Sequence, residues 1–571
     1  MDRDIQKGLI LGVERIAAWS DLLDEINVFP VADGDTGRNL ITSLVPLRHP
    51  DKDRQNTIRR LLFSARGNSG NIAARFLSGL LTADSVDILP QAARLGRDRA
   101  WKAISDPVPG TMLNVFDALV EIIQQYHFKD PNQDISNVIN HLEKAVRSTP
   151  DLLPRLRDAG VVDSGALGMF IFLEGFLKSL ADKADQFQPV TSIFKGLLQV
   201  SPSFREHREE GYCIDFVVRS DEKFSEEIRR FSQYGNEVVA IPHQDILKVH
   251  LHTGDRDETK KGIESFCDVV QWTDDDLGKQ ISRFRKSNTH RCIHIMTDAA
   301  GSITREDSRE FGITLLNSYI TAGDRCLPET HFPPDELYKA MREGLKVSTS
   351  QASVFERHQH YQSVLNQHDR ILYLCVGSVF TGNYNVAMEW KKINDPDDRL
   401  AVIDTTAASG RLGTIVMAVE RYSSRTDDPD SVIEFAKTAI DQCEEYVFLD
   451  RLQYLAAGGR LSRSSAFFGD LLHMKPVISP MAEGAKKVGV VRNQIDQIQF
   501  ALDRLKESFA GDSSILIMLQ YSDNRSWVSD TVMKEIERHY PLADIILQPL
   551  SLTSGVHMGP GTWSMAFMPD L

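Results

Sequence analysis

INVFPVADGDTGRNL, residues 26–40, sets Asp33 and Asp35 one residue apart, with Gly34 between them and Gly37 just beyond. Asp and Gly are common in solvent-exposed turns for conformational reasons alone, so a plain turn is one reading of ADGDTG. A calcium loop is a second, and it fails on spacing. With Asp33 as first ligand, the twelfth position is Leu44, where a bidentate Glu is required. Magnesium suits the stretch better. Two carboxylates one residue apart can each give one oxygen to an octahedral ion and leave its other positions to phosphate and water. Asn27, six residues before Asp33, offers a further oxygen.

The chain around this stretch has 571 residues, 42% hydrophobic and 25% charged, the composition of an ordinary globular protein with room for roughly three or four domains. The net charge of −15 argues against a sequence-independent grip on nucleic acid. It also implies that a bound polyphosphate arrives with a divalent cation. Cys213, Cys267, Cys292, Cys326, Cys375 and Cys443 stand singly, without a CxxC, as suits reduced thiols. The opening MDRDIQKGLILGVERIAAW has acidic residues and a helical rhythm in place of a secretion signal, and no apolar run is long enough for a membrane span. A cytoplasmic location is expected.

Three textures follow one another, and together they predict a multidomain protein. Residues 1–180 carry apolar residues at three- and four-residue spacing, as in TIRRLLFSARGNSGNIAARFLSGLL, and predict an all-α domain. Residues 181–210 are polar and Pro-punctuated, which predicts a linker. In 211–288, the alternating YCIDFVVRS, GNEVVAIPHQDILKVHLHTG and DVVQWT flank a helical KFSEEIRRFSQYG, a small α+β domain. DDDLGKQISRFRKSN, 274–288, reads as a second hinge. In 289–571, apolar strands such as RILYLCVGS and SILIMLQYS alternate with helices, the pattern of a parallel or mixed α/β sheet.

A nucleotide site needs donors for phosphate, yet the chain has neither GxxxxGK[ST] nor GxGxxG. ARGNSGN (65–71), PVPGTML (107–113) and VVDSGALG (161–168) instead place Gly beside Ser or Thr next to helical stretches, where free N–H groups favour anions. Each alone is also an ordinary helix connection. As an ordered set with NVFPVADGDTGRNL, they resemble the nucleotide-binding domain shared by the dihydroxyacetone kinase ATP subunit and the bacterial fatty acid kinase catalytic protein; NVFP and PGTML favour the fatty acid kinase branch. The resemblance implies an α-helical barrel, paired into homodimers, that holds ATP through magnesium on Asp33 and Asp35. Asn27, Thr36, Asn39, Asn68, Ser69, Gly70, Thr111, Met112, Asp163 and Gly165 are then the nucleotide-binding residues. Ala32 stands where the family usually has Pro, which alters loop stiffness more than chemistry.

In the middle segment, His250 and His252 of KVHLHTG lie two residues apart on a predicted strand, hence on one face. With Cys213 of GYCIDF they form a zinc-type donor set, although a buried Cys and two surface histidines are common without a metal. The segment resembles the middle domain of fatty acid kinases, which implies zinc here.

The C-terminal series TDAAGSIT (297–304), STSQAS (348–353), VGSVFTGNYNVA (376–387), VIDTTAASGRLG (402–413), LQYLAAGGRLSR (452–463), KPVISP (475–480) and SGVHMGPGTWSMAF (554–567) resembles the DegV family of acyl-chain-binding proteins. The resemblance implies that Thr349, Ser378 and His557 meet a fatty acid carboxylate and that Arg460 serves the same site. Departures are Ala352 for the usual Pro, Gly377 for a Ser, and FTGNY for LSGTY.

One chain thus joins the features of a kinase to those of its substrate's carrier. The expected reaction is transfer of the ATP γ-phosphoryl group to the carboxylate of a fatty acid bound in the C-terminal domain, with Asp33, Asp35 and His557 as catalytic residues. Its acyl phosphate would pass to an acyltransferase for phospholipid synthesis or use of exogenous fatty acid. Two alternatives stand beside it: a non-catalytic lipid carrier or sensor, which intact DGD, NSG and DSG motifs oppose, and a dihydroxyacetone-type kinase of a small keto-sugar, whose carbonyl-capturing histidine domain has no matching motif.

Overall fold

The computed structural model describes residues 2–125, 131–183, 186–205, 211–219, 229–278, 291–457 and 475–570. The chain divides into two compact units, 1–285 and 286–571.

The first unit opens with α1 (Arg3–Glu25), whose first turn is capped by the Asp2 carboxylate accepting the Asp4 N–H at 2.7 Å. There follow α2 (Thr36–Leu44), α3 (Arg54–Ser64), α4 (Gly67–Leu80), α5 (Leu89–Ala103), α6 (Met112–Ile123), α7 (Pro131–Arg147), the short α8 (Thr149–Leu152) and α9 (Pro154–Ala159), and α10 (Ser164–Leu180). Helix α1 packs on α2, α2 on α4, then α5, α6, α7 and α10 in turn, and α10 returns to α1. The ring so closed matches the expected helical barrel. Its apolar interior includes Leu9, Leu23, Leu40, Phe76, Phe116, Leu167 and Phe170, all fully buried.

The stretch 181–210 is not a free linker over its described part. Val190, Ile193 and Phe194 belong to the same apolar core, Phe187 is buried under the Arg15 guanidinium, and Phe170 meets the Phe194 ring edge-on at 5.3 Å. Burying these side chains outweighs the surrounding polarity.

Strands β1 (Tyr212–Arg219), β2 (Asn236–His243), β3 (Ile246–Thr253) and β4 (Asp268–Asp276) form an antiparallel sheet in the order β2-β3-β1-β4, with the helix Arg256–Glu264 before β4. This sheet is part of the first unit. Val239 and Ile241 of β2 enter the helical core, Ile104 bridges Val239, and the Ser105 N–H donates to the Val238 carbonyl at 3.2 Å. The stretch expected as a second hinge begins inside β4, with Leu277 buried; 279–288 lie outside the described residues.

The second unit is α/β. Parallel strands β5 (His294–Asp298), β6 (Thr314–Leu316), β10 (Ile371–Cys375) and β11 (Leu400–Asp404) run in the order β11-β10-β5-β6. A small antiparallel sheet orders β7 (Tyr319–Ala322), β8 (Arg325–Pro328) and β9 (Val347–Ser350) as β8-β7-β9. The third sheet is mixed. Its strands β12 (Glu444–Phe448), β13 (Lys475–Met481), β14 (Gly484–Val491), β15 (Ile515–Tyr521), β16 (Asp544–Pro549) and β17 (Trp563–Pro569) run β14-β13-β12-β17-β15-β16. Among the described residues no helix is long and apolar enough to cross a membrane.

Candidate functional site

The loop between α1 and α2 carries the DGD stretch into a cavity of about 560 Å³ inside the first unit. Gly34 sits at φ +64°, a left-handed conformation that glycine adopts without the clash a side chain brings. The loop then enters α2, whose free N–H groups at Gly37 and Arg38 donate to the buried Asp24 carboxylate at 2.7 and 3.2 Å. Asp33 and Asp35 are 7% and 6% exposed and both line the cavity. Burial pushes the Asp33 carboxyl well up, and the Asp35 charge adds to this. Asp35 is likewise raised by burial, against the pull of Arg38, which lies 3.4 Å away. Two buried carboxylates that resist ionising together have the charge and spacing to hold a divalent cation, which would supply the missing charge.

The other expected residues converge here. Asn27, Thr36, Asn39, Asn68, Ser69, Thr111, Met112, Asp163 and Gly165 all line the cavity. Gly70 instead packs behind it: a Cβ there would lie 2.0 Å from Ser43 Oγ. Asn27 donates its amide to Asp33 Oδ1 at 2.6 Å and accepts from Ser164 Oγ at 3.3 Å, so it orients the carboxylate. Ser164 also donates to Thr36 Oγ1 at 3.0 Å. Asp163 caps α10 by accepting the Ala166 N–H at 2.7 Å, and burial raises its carboxyl to about 7. Gly67 stands at φ +58°, and a Cβ on it would meet Asn39 Nδ2 at 2.2 Å. The turn Gly67–Ser69 therefore lies tight against α2 and presents Asn68 and Ser69 to the cavity.

The middle sheet closes the same cavity with Cys213 and His252. In the β1–β3 register Cys213 opposes His252 and Asp215 opposes His250, so strand alternation brings all four side chains to one face. A sulfur or nitrogen of Cys213, His250 and His252 can come within 4.8 Å of each of the others. Cys213 Sγ is 3.9 Å from both ring nitrogens of His250. One thiol and two imidazoles fit zinc in kind and number, with a fourth position left over. Burial, then the neighbouring His250, lowers His252 to about 3, which holds it in the neutral form that metal ligation requires. Burial and the carboxylates of Asp215, Asp35 and Asp33 push the Cys213 thiol well up, so a metal would have to displace its proton.

In the second unit, Thr349 on β9 and His557 on the helix Leu552–Met558 meet with Oγ1 and Nε2 3.1 Å apart. That helix is seated by Ser551, whose N–H donates to Ser302 Oγ at 2.8 Å, and by the buried Glu329 carboxyl, which accepts the Thr553 N–H at 3.0 Å. Ser378 lies exposed on the loop after β10, its N–H donating to Asp404 at 3.0 Å. Two departures from the expected pattern find reasons nearby. A Cβ at Gly377 would come within 2.8 Å of the Thr406 backbone, leaving no room for a Ser side chain. Asn383 donates to the buried Asp298 at 2.8 Å, alongside Arg357, Tyr373 and the Val376 N–H, which fixes the Ser378 loop. Arg460 lies outside the described residues.

Sequence reasoning passed over Asp24, Ser164, Arg38 and Asp215. Asp215 had a signal, since it is two residues from Cys213 on the same strand; Asp24 had none, because its role arises from how α1 packs on α2.

Comparison with known proteins places the two halves. Residues 30–178 match the DAK2 domain and residues 292–570 the DegV family, described as uncharacterised. An uncharacterised protein of Staphylococcus aureus is 24% identical over 581 residues, covering 94% of this chain and 94% of its own. One of Staphylococcus saprophyticus is 32% identical over 272 residues, 43% of this chain and 49% of its own. Among solved structures, a DegV family protein from Thermus thermophilus, described for its fatty acid binding, superposes with a TM-score of 0.45 at 22% identity, over 49% of this chain and 100% of that one. DegV of Bacillus subtilis, described as a fatty acid binding protein, gives 0.45 at 18% over the same shares.

Proposed function

From a chain that joins a DAK2 domain to a DegV domain, we propose a fatty acid kinase that forms acyl phosphate from ATP and a fatty acid carried by its own second unit. The observation that carries the reading is the cavity of the first unit, where Asp33, Asp35, Asn68, Ser69, Thr111 and Asp163 from separate turns face one space. Acidic groups for a cation stand there beside small-residue turns for phosphate.

A fatty acid carboxyl has a pKa of about 4 to 5 and is ionised at neutral pH, so its oxygen attacks the γ-phosphorus without a general base. The new bond joins carboxylate oxygen to phosphorus. The bond from phosphorus to the β,γ-bridging oxygen breaks, ADP leaves with that electron pair, and no proton is gained or lost. Magnesium held by Asp33 and Asp35 supplies charge neutralisation when bound. Asn27 orients Asp33, and the turn Gly67–Ser69 and Thr111 at the start of α6 offer donors to the phosphates. Thr349 and His557 orient the carboxylate by hydrogen bonding; His557 needs no role as base. Zinc at Cys213, His250 and His252 would supply a further local positive charge. Joining carrier and kinase on one chain raises the effective concentration of substrate, typically into the millimolar range for short connections.

ADP formation tests the reading against its rivals. The proposal requires that fatty acid stimulates magnesium-dependent ADP release and dihydroxyacetone does not. Stimulation by dihydroxyacetone makes the protein a keto-sugar kinase, and ATP-independent retention of lipid alone makes it a carrier.

A further inference from the structure

Asp215 joins the two halves of the first unit through two hydrogen bonds from α4 and two close side-chain contacts on β3. Its carboxylate is 5% exposed. Oδ2 accepts the Gly67 N–H at 2.9 Å and lies 3.3 Å from His250 Nδ1. Oδ1 accepts Asn71 Nδ2 at 2.8 Å and lies 3.2 Å from Lys248 Nζ. Each oxygen thus takes one partner from the start of α4 and one from β3. The carboxylate cannot shift toward either side without weakening its bonds to the other.

The two donors on α4 bracket the residues that matter for phosphate. Gly67 and Asn71 are anchored, and between them Asn68 and Ser69 face the cavity. Asn71 is wholly buried and its amide also bonds the Gly67 carbonyl at 2.7 Å, so the turn is tied to itself and to Asp215. On the other side, Asp215 meets the ring nitrogen of His250 that a metal on the opposite nitrogen would leave free. A carboxylate in this place fixes the orientation of a ligating imidazole.

We infer that Asp215 is a positioning residue that couples metal binding at Cys213, His250 and His252 to the phosphate-binding turn Gly67–Asn71. With a metal held at its other nitrogen, His250 would donate its N–H to Asp215 more strongly and its ring would be fixed. Asp215 would then be held more firmly, and through it the turn would be preorganised for the nucleotide. This rests on the reading of the cavity as a nucleotide site. It goes beyond that reading in assigning a linkage between two ligands to one carboxylate.

Equilibrium binding reads the linkage directly. The full-length protein is stripped with chelator or loaded with zinc and freed of excess metal, and each form is titrated with magnesium and AMP-PNP in a calorimeter. Zinc is expected to tighten nucleotide binding about fivefold or more, and nucleotide must tighten zinc retention by the same factor. In Asp215→Asn the factor falls below about twofold. Simple attraction between a zinc ion and an anionic nucleotide would survive that substitution, so an unchanged factor in the variant overturns the inference. So does a wild-type factor of one with both ligands bound, which leaves the nucleotide reading intact; failure to bind nucleotide at all removes both. Should Asp215→Asn fail to fold by circular dichroism, Asn71→Ala cuts one of the two ties to α4. A reduced factor there supports the coupling, and the full wild-type factor contradicts it.

Discussion

Replacing Asp163 by Asn should stabilise the ligand-free protein, and increasingly so as the pH rises. Asp163 is 5% exposed at the start of α10, and burial lifts its carboxyl from the ordinary 3.8 to about 7. The folded chain therefore keeps a proton that the unfolded chain has lost between about pH 4 and pH 7. Stability falls through that window and the full penalty is present above it. At about 1.36 kcal/mol per pH unit, the full gap is worth about 4 kcal/mol, of which about 2 to 3 kcal/mol develops between pH 5 and pH 8. Asn is neutral throughout and caps a helix about as well as Asp, so the Ala166 N–H keeps its acceptor. Urea unfolding followed by helical circular dichroism, at pH 5 and pH 8 for both proteins, measures the difference. The variant should gain about 2 to 3 kcal/mol on the wild type between the two pH values. A difference that is the same at both, or that moves against the variant as pH rises, refutes the reasoning.

Three further outcomes are expected. Asp33→Asn and Asp35→Asn should each weaken binding of magnesium and AMP-PNP at least about a hundredfold by calorimetry, since a neutral amide is a poor magnesium ligand; wild-type affinity in both removes the metal assignment. Thr349→Ala combined with His557→Ala should lower the fatty acid found by mass spectrometry after purification, without changing nucleotide affinity. Unchanged lipid content would move the carboxylate site elsewhere. Elemental analysis should find one zinc per chain, lost in Cys213→Ser with His250→Ala, and a metal-free wild type purified without chelator contradicts the zinc reading.

Local pattern made much of this molecule legible, and long-range packing accounts for the rest. Period-two alternation marked Tyr212–Arg219 and Ile246–Thr253 as strands and so put His250 and His252 on one face. It could not supply the register that sets Cys213 opposite His252, because 26 residues, 220–245, separate the two strands. The turns at Asp33, Asn68, Thr111 and Asp163 each read as helix connections; only the closed ring of helices makes them face one cavity. Thr349 and His557 are 208 residues apart and were joined by resemblance alone before the structure brought them to 3.1 Å. The misread stretch 181–210 carried its own warning. Phe187, Val190, Ile193 or Phe194, and Leu197 recur at three- and four-residue spacing, the mark of a face that packs, amid prolines and charges that otherwise suit a linker.

Trapping the product tests the central claim most directly. Purified protein carrying its bound fatty acid is mixed with magnesium, ATP labelled at the γ-phosphate and hydroxylamine, and the reaction is stopped within one turnover. The account predicts acyl hydroxamate of the same chain length as the bound lipid, in step with ADP, and none from the Asp33→Asn Asp35→Asn protein. ADP and labelled phosphate appearing with no acyl hydroxamate, or hydroxamate forming equally in that double variant, would contradict it.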